Sequence, residues 1–225
     1  MGDDIRDIRH FYETLYHYEE DVVSIDMPRI RRYYRRFDVP SEGRLLDIGC
    51  GAGLNVKYWE QKGFRLFGID LSHRALKLAN SVVPEAAFSV ADGQNLPFDN
   101  DTFDIITALG VIEHFPNPKK GFEETYRILK PGGKACLVVP NSFGKLGKVL
   151  GFKGTEQEQE LLLTMNEWIE LIESTGFKVT RTLRDRGPKI LKNLKPFKVI
   201  ARLLLRSTLL LPKRYAYVFV FHAEK

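Results

Sequence analysis

The stretch Leu45-Leu46-Asp47-Ile48-Gly49-Cys50-Gly51-Ala52-Gly53 leaves this chain few folds to choose from. Its apolar start reads as a buried parallel strand, the glycines break it, and Leu54-Asn55-Val56-Lys57-Tyr58-Trp59 resumes as a helix. A strand, a glycine turn and a helix start make a corner suited to a nucleotide. Glycine lets the backbone turn tightly and come close to a ligand, and a helix start leaves N–H groups without intrahelical partners. The spacing is Gly-x-Gly-x-Gly after an acid. It is not the dinucleotide pattern Gly-x-Gly-x-x-Gly, because Leu54 follows Gly53. Taken alone, the glycines also fit a tight strand–helix turn that holds nothing.

The flanking sequence sets that corner in a larger pattern. Strand-like runs at 44–48, 64–69, 86–90, 103–108 and 134–139 alternate with helical segments at 73–81, capped by Ser72, and 117–129, ended by a Pro131-Gly132-Gly133 turn. A helix over 166–173 that stops at Gly176, a strand over 177–183 and a strand over 215–223 complete the series. The alternation predicts an α/β fold with a mostly parallel sheet and helices on both faces. In such sheets ligands bind beyond the carboxyl ends of the strands, at the switch point of strand order. Asp70, 21 residues past Gly49, and Asp92 both fall there. A carboxylate at the end of the second strand accepts hydrogen bonds from vicinal ribose hydroxyls, and the competing reading is a helix-capping or surface aspartate. Asp92-Gly93 is also an ordinary turn dipeptide.

With Asp70 closing the second strand, Asp92 after 86–90 and Leu129-Lys130-Pro131-Gly132-Gly133-Lys134 downstream, the chain resembles the class I S-adenosylmethionine (SAM) methyltransferases. Within them it is most similar to the methyltransferase type 11 branch of ubiquinone and menaquinone biosynthesis. The resemblance is dense over 41–141 and thins over 161–184. It implies a Rossmann-like, mostly parallel seven-stranded sheet whose last strand runs antiparallel between strands five and six. It also implies SAM as cofactor, held by Asp47, Gly49, Gly51, Gly53, Asp70, Leu71, Asp92, Gly93, Gln94 and Leu109. In that scheme Asp70 takes the ribose, and Asp92 takes the adenine amino group with Gln94 and Leu96 beside the ring. Backbone carbonyls near Leu109 and Gly110 face the cofactor's ammonium. Asp47 either reaches the methionine end or satisfies N–H groups of the glycine turn. His114, in the pair Glu113-His114, is the candidate base, because transfer to a phenol, enol or amine leaves a proton to remove. A structural histidine is the other reading, since a sulfonium methyl is already a strong electrophile and alignment alone suffices in many such enzymes.

Residues 1–40 read as helices that the resemblance casts as a lid over the cofactor, with Tyr12 and Tyr16 as substrate contacts, and 41–225 as the SAM-binding domain. The second of these helices carries Arg29, Arg31, Arg32, Arg35 and Arg36, which also fits a solvated basic face. Near the other end, an insertion at about 185–213 is longer than a hairpin needs. From Gly187 to Arg214 it holds eight lysines and arginines and no acid, against +5 for the whole chain, so the remainder is net acidic. Lys198, Arg202 and Arg206 recur every four residues among Val, Ile and Leu. That pattern fits either a packed lid or dimer helix, or an interfacial helix on an anionic membrane surface. RNA is disfavoured, because Phe197 is the segment's one aromatic.

Other classes recede for stated reasons. No apolar run is long enough to span a bilayer and no secretory leader is visible, so the expected location is cytoplasmic or peripheral to a membrane. Cys50 and Cys136 read as buried free thiols, no Cys/His cluster has zinc spacing, and no metal site is expected. Thr107-Ala108-Leu109-Gly110 stands where adenine- or amide-methylating enzymes carry Asp/Asn-Pro-Pro-Tyr. The expectation is therefore methyl transfer to a small-molecule or lipid-like acceptor by a monomer or homodimer. The alternatives are a non-catalytic SAM-binding or membrane-recruited module and, less favoured, an NAD-dependent oxidoreductase.

Overall fold

The computed structural model describes residues 6, 8–10, 13–14, 27–142, 160–185 and 212–225. Tyr12, Tyr16 and most of the insertion, 186–211, lie outside the described residues. In chain order the elements are α1 (Met27–Tyr33), β1 (Gly43–Ile48), α2 (Leu54–Trp59), β2 (Phe64–Asp70), α3 (His73–Val82), β3 (Ala87–Val90) and β4 (Phe103–Leu109). A 3-10 turn (Ile112–His114), α4 (Pro118–Ile128), β5 (Leu129–Pro140), α5 (Met165–Glu173), β6 (Lys178–Arg184) and β7 (Val218–Glu224) follow.

The strands form one sheet in the order β3-β2-β1-β4-β5-β7-β6. β1 pairs in parallel with both β2 and β4, and β7 runs antiparallel between β5 and β6, as expected. The order reverses between β1 and β4, which sets the crevice for a ligand at their carboxyl ends. Alternation along β1 serves both faces of the sheet: Leu45 packs with Ile30, Tyr34, Val56 and Trp59 on one side. Leu46 and Ile48 pack with Phe122, Trp168 and Ile172 on the other. Helix starts follow local chemistry. Ser72 caps α3 by accepting from the Ala75 N–H, and Thr164 forms a reciprocal capping box with Glu167 at α5.

Two boundaries differ from expectation. Pro131-Gly132-Gly133 does not lie outside the fifth strand but forms a bulge within it. Leu129 already pairs with Phe103, and the register slips before Lys134 meets Ile105. Gly132, at φ 76°, makes this irregularity feasible and donates its N–H to the Lys225 carbonyl at 2.9 Å. The last strand starts at Val218 rather than 215, because Lys213–Tyr215 coil into a 3-10 turn.

The basic helix α1 is not simply a solvated face. Ile30 and Tyr33 are buried in the core, and the Arg29 Nε donates to Asp185 Oδ2 at 2.7 Å. The Asp185 side chain is only 2 % exposed, and its Oδ1 has no partner. Burial of Asp185 is sustained by this pairing, so removing one member strands a buried charge. Arg29→Met is expected to lower unfolding free energy by about 2–3 kcal/mol, at the modest end for a buried pair because Arg29 itself is partly exposed. Arg29→Met/Asp185→Leu should recover most of it. Urea midpoints measure both, and an unchanged midpoint for the single variant would show the pair carries no stability.

Candidate cofactor and acceptor site

The glycine corner is held in a shape only glycine takes easily. Gly49, Gly51 and Gly53 sit at φ 66°, 52° and 79°. At Gly49 a Cβ would lie 2.4 Å from the Val111 Cγ2, so the β1 and β4 loops touch through it. Cys50 donates its N–H to the Ile69 carbonyl at 2.9 Å, which ties the corner to β2. Cys50 and Cys136 are buried free thiols, as expected.

Asp70, at the end of β2, splints this corner. Its Oδ2 accepts from the Gly51 N–H and its Oδ1 from the Ser72 N–H, both at 2.9 Å. Burial raises its pKa, and the backbone N–H groups of Ser72, Gly51 and Leu71 oppose that rise. Each oxygen retains a lone pair for a further donor. From the N-terminal segment, Glu13 Oε1 accepts from the His73 N–H at 2.8 Å, three residues along from Asp70. Leu71 is half-buried between them.

Asp47 is 2 % exposed. Its Oδ1 accepts from Thr107 Oγ1 at 2.6 Å and from Asn55 Nδ2 at 2.8 Å, and Asn55 Oδ1 accepts from the Tyr34 hydroxyl at 2.6 Å. Burial pushes the Asp47 carboxyl up to about 7, against the pull of Thr107 and Asn55. The expected alternative, that Asp47 satisfies N–H groups of the turn, is not what forms: it bonds side chains of α2 and β4, and Asp70 takes the Gly51 N–H. The register explains this. Asp47 stands directly beside Thr107 in the β1–β4 ladder.

Beyond β3, Asp92 is half-buried and its Oδ1 accepts from the Gln94 N–H at 2.9 Å and from Gln94 Nε2 at 3.2 Å. Gln94 is buried, its Oε1 accepting from the Asn117 N–H at 2.8 Å, and Leu96 belongs to the core. Gly93 is required by packing: a Cβ there would come within 2.4 Å of Phe115. Asp92 and its neighbours thus form a braced turn one strand over from Asp70.

A cavity of about 400 Å³ opens at the carboxyl ends of β1, β4 and β5. Of the expected residues, Asp47, Gly49, Leu109 and His114 line it; Gly51, Gly53, Asp70, Leu71, Asp92, Gly93 and Gln94 do not. They occupy the strand ends and loops on its β2–β3 side. Sequence reasoning had not assigned to the site several other residues that line it, among them Arg29, Tyr33, Asn55, Glu113 and Glu160. His114 is 4 % exposed, with its Nε2 4.0 Å from Glu113 Oε1. Glu113 is buried, its Oε2 has no partner, and burial pushes its pKa up to about 8, with Glu160 adding to the rise. The pairing Glu113-His114 was a readable signal for Glu113; Glu160 had none, because tertiary contacts bring its segment to the site, among them the Leu161 N–H bonded to the Glu113 carbonyl at 2.8 Å.

The residues present fit SAM. Acceptor-only carboxylates at the ends of β2 and β3 suit ribose hydroxyls and an adenine amino group, and Asp47 on the cavity wall suits the positive charge of an ammonium.

Comparison with known proteins agrees. A methyltransferase-domain family model matches residues 46–137. An uncharacterized Methanocaldococcus jannaschii protein is 29 % identical over 172 residues, covering 74 % of this chain and 77 % of its own. The ubiquinone biosynthesis O-methyltransferase of Idiomarina loihiensis is 33 % identical over 135 residues, 53 % of this chain and 55 % of its own length. The chain therefore spans about half of that relative. In structure, a Haloferax volcanii chain solved in complex with the Trm112 methyltransferase activator shares the fold, with a TM-score of 0.74 at 19 % identity over 95 % of this chain and 96 % of that one. The glycine corner, the strand-end acids and the sheet order all lie within or around the matched stretch, and residues 46–137 form a methyltransferase domain with the sheet order expected of the class I SAM-dependent methyltransferases.

Proposed function

We propose that the protein transfers the methyl group of SAM to a small-molecule or lipid-like acceptor and releases S-adenosylhomocysteine. The observation that carries this reading is convergence. Asp47, Asp70 and Asp92 end three neighbouring strands beside one cavity, and the cavity's far wall holds Glu113 and His114. When bound, the cofactor supplies a methyl group on a positively charged sulfur, open to in-line displacement. The chain's own residues do the rest. Asp70 and Asp92 hold the nucleoside, Asp47 borders the methionine end, and His114 is the residue that engages the acceptor.

Residues 1–40 serve in this reading as a lid, supported by Arg29, Ile30 and Tyr33 on the cavity wall and by Glu13 on the loop after β2. The described ends of the basic insertion support an apolar or lipid-like acceptor entering from the same side. Asp185 donates its N–H to the Val218 carbonyl at 3.0 Å, and Val218 and Tyr217 line the cavity. Among the described residues no helix is long and apolar enough to cross a membrane.

Calorimetry with SAM and S-adenosylhomocysteine tests the cofactor, with anionic liposomes in the same series. Micromolar binding of both is the expected result, with liposome capture that is lost on deleting 187–213. Failure to bind either nucleoside removes the proposed function, and capture that survives the deletion removes the membrane role of the insertion.

A further inference from the structure

We propose that Glu113, His114 and Glu160 form a binding site for one first-row divalent cation on the acceptor wall of the cavity. The inference rests on the proposed function only in placing the acceptor there. One donor atom from each of the three residues lies within 4.8 Å of the others. Around an ion with bonds of about 2.1 Å, neighbouring donors stand roughly 3–3.5 Å apart, so the widest pair needs to close by about 1–2 Å, within reach of side-chain rotation. The independent sign of a missing ligand is Glu113 itself. Its side chain is 5 % exposed, it lines the cavity, and its Oε2 makes no hydrogen bond. A buried carboxylate oxygen with nothing to bond is costly, and a cation is the partner that best offsets it.

The scaffold behind the site is built for position. Glu113 and His114 are adjacent in a 3-10 turn, and both line the cavity. Glu160 comes from a separate stretch of the chain and lines the same cavity. The Leu161 N–H bond to the Glu113 carbonyl and the Asn141–Leu163 bridge hold its strand of chain against the turn. Two carboxylate oxygens and an imidazole nitrogen form a mixed donor set that suits Zn²⁺ or Mn²⁺ better than Mg²⁺, which prefers oxygen and water.

Three protein ligands leave coordination positions open toward the cavity. There a cation would draw in a hydroxyl oxygen of the acceptor and ease loss of its proton to solvent. His114 then reaches the acceptor through the cation. Acceptors with two adjacent oxygens, able to chelate, would be favoured over those with one.

The test uses the full chain, Mn²⁺ followed by electron paramagnetic resonance and Zn²⁺ by calorimetry, each without any acceptor. One ion per chain is expected at micromolar affinity. Glu113→Gln and Glu160→Gln, which keep side-chain shape, should each weaken it at least tenfold, and thermal unfolding of both variants verifies the fold. SAM affinity is measured on the same samples and should change by less than about twofold. No binding of either metal, or binding that both variants leave untouched, overturns the site. SAM binding that persists in that event leaves the methyltransferase reading standing, whereas loss of SAM binding by the unaltered chain would fall on that reading instead.

Discussion

Asp70→Ala is expected to weaken SAM binding about 30- to 1000-fold, the equivalent of about 2–4 kcal/mol for charge-assisted hydrogen bonds to two ribose hydroxyls. The structure adds a second reason for a large loss. Both carboxylate oxygens already accept backbone N–H groups, from Gly51 in the glycine corner and Ser72 at the cap of α3. Without them the corner loses the splint that joins it to β2, so the binding surface itself loosens. Asp70→Asn separates the two contributions: it keeps one acceptor oxygen for the scaffold but removes the charge, and should fall between the alanine variant and the unaltered chain. Calorimetric titration reads both. An affinity unchanged in Asp70→Ala would take the ribose away from this residue.

His114→Ala is expected to slow methyl transfer about a hundredfold while SAM affinity stays within about twofold, because a side chain that engages the reacting group acts on turnover more than on cofactor binding. The imidazole stands on the acceptor wall, beyond the glycine corner, with Glu113 and Glu160 as its titratable neighbours. Since His114 is buried, the alanine variant also leaves a cavity, and His114→Gln serves as the better-filled control. The decisive readout is kcat measured at saturating SAM. Equal rates in all three proteins would make the histidine structural.

The two predictions address opposite ends of one crevice, and the residues between them were legible to different degrees. Asp70 and the glycines announce themselves because their chemistry is local. A positive-φ turn needs glycine within a few residues of the strand it ends, and Asp70 closes an apolar run that reads as a strand without any partner in view. Asp47 was visible as an acid before the glycines, yet its bonding was not. That depended on Thr107 falling opposite it in the β1–β4 register and on Asn55 turning back from the first turn of α2. The Pro131-Gly132-Gly133 segment shows the reverse case. Its turn chemistry was read correctly, but pairing of Leu129 with Phe103 made it a bulge inside a strand.

The basic residues show where local reading stops. A run of arginines in a short helix looks like a solvated face, and for Arg31, Arg35 and Arg36 exposure agrees. Arg29 departs from the pattern because Asp185, 156 positions away, is buried against it. No periodicity in either segment encodes that meeting.

What the sequence determined alone was the order of strands and helices, the glycine corner, the antiparallel last strand through its family resemblance, and the strand-end acids Asp70 and Asp92. These follow from hydrophobic period and turn chemistry acting over a few residues, or from a motif that carries its fold with it. Tertiary structure alone decided which face of α1 is buried, what Asp47 and Asp70 bond to, and that Glu160 stands with Glu113 and His114. Each of those depends on strand register and on segments brought together from distant parts of the chain, and the free energy that sets such contacts is shared across the whole core rather than written at any one position.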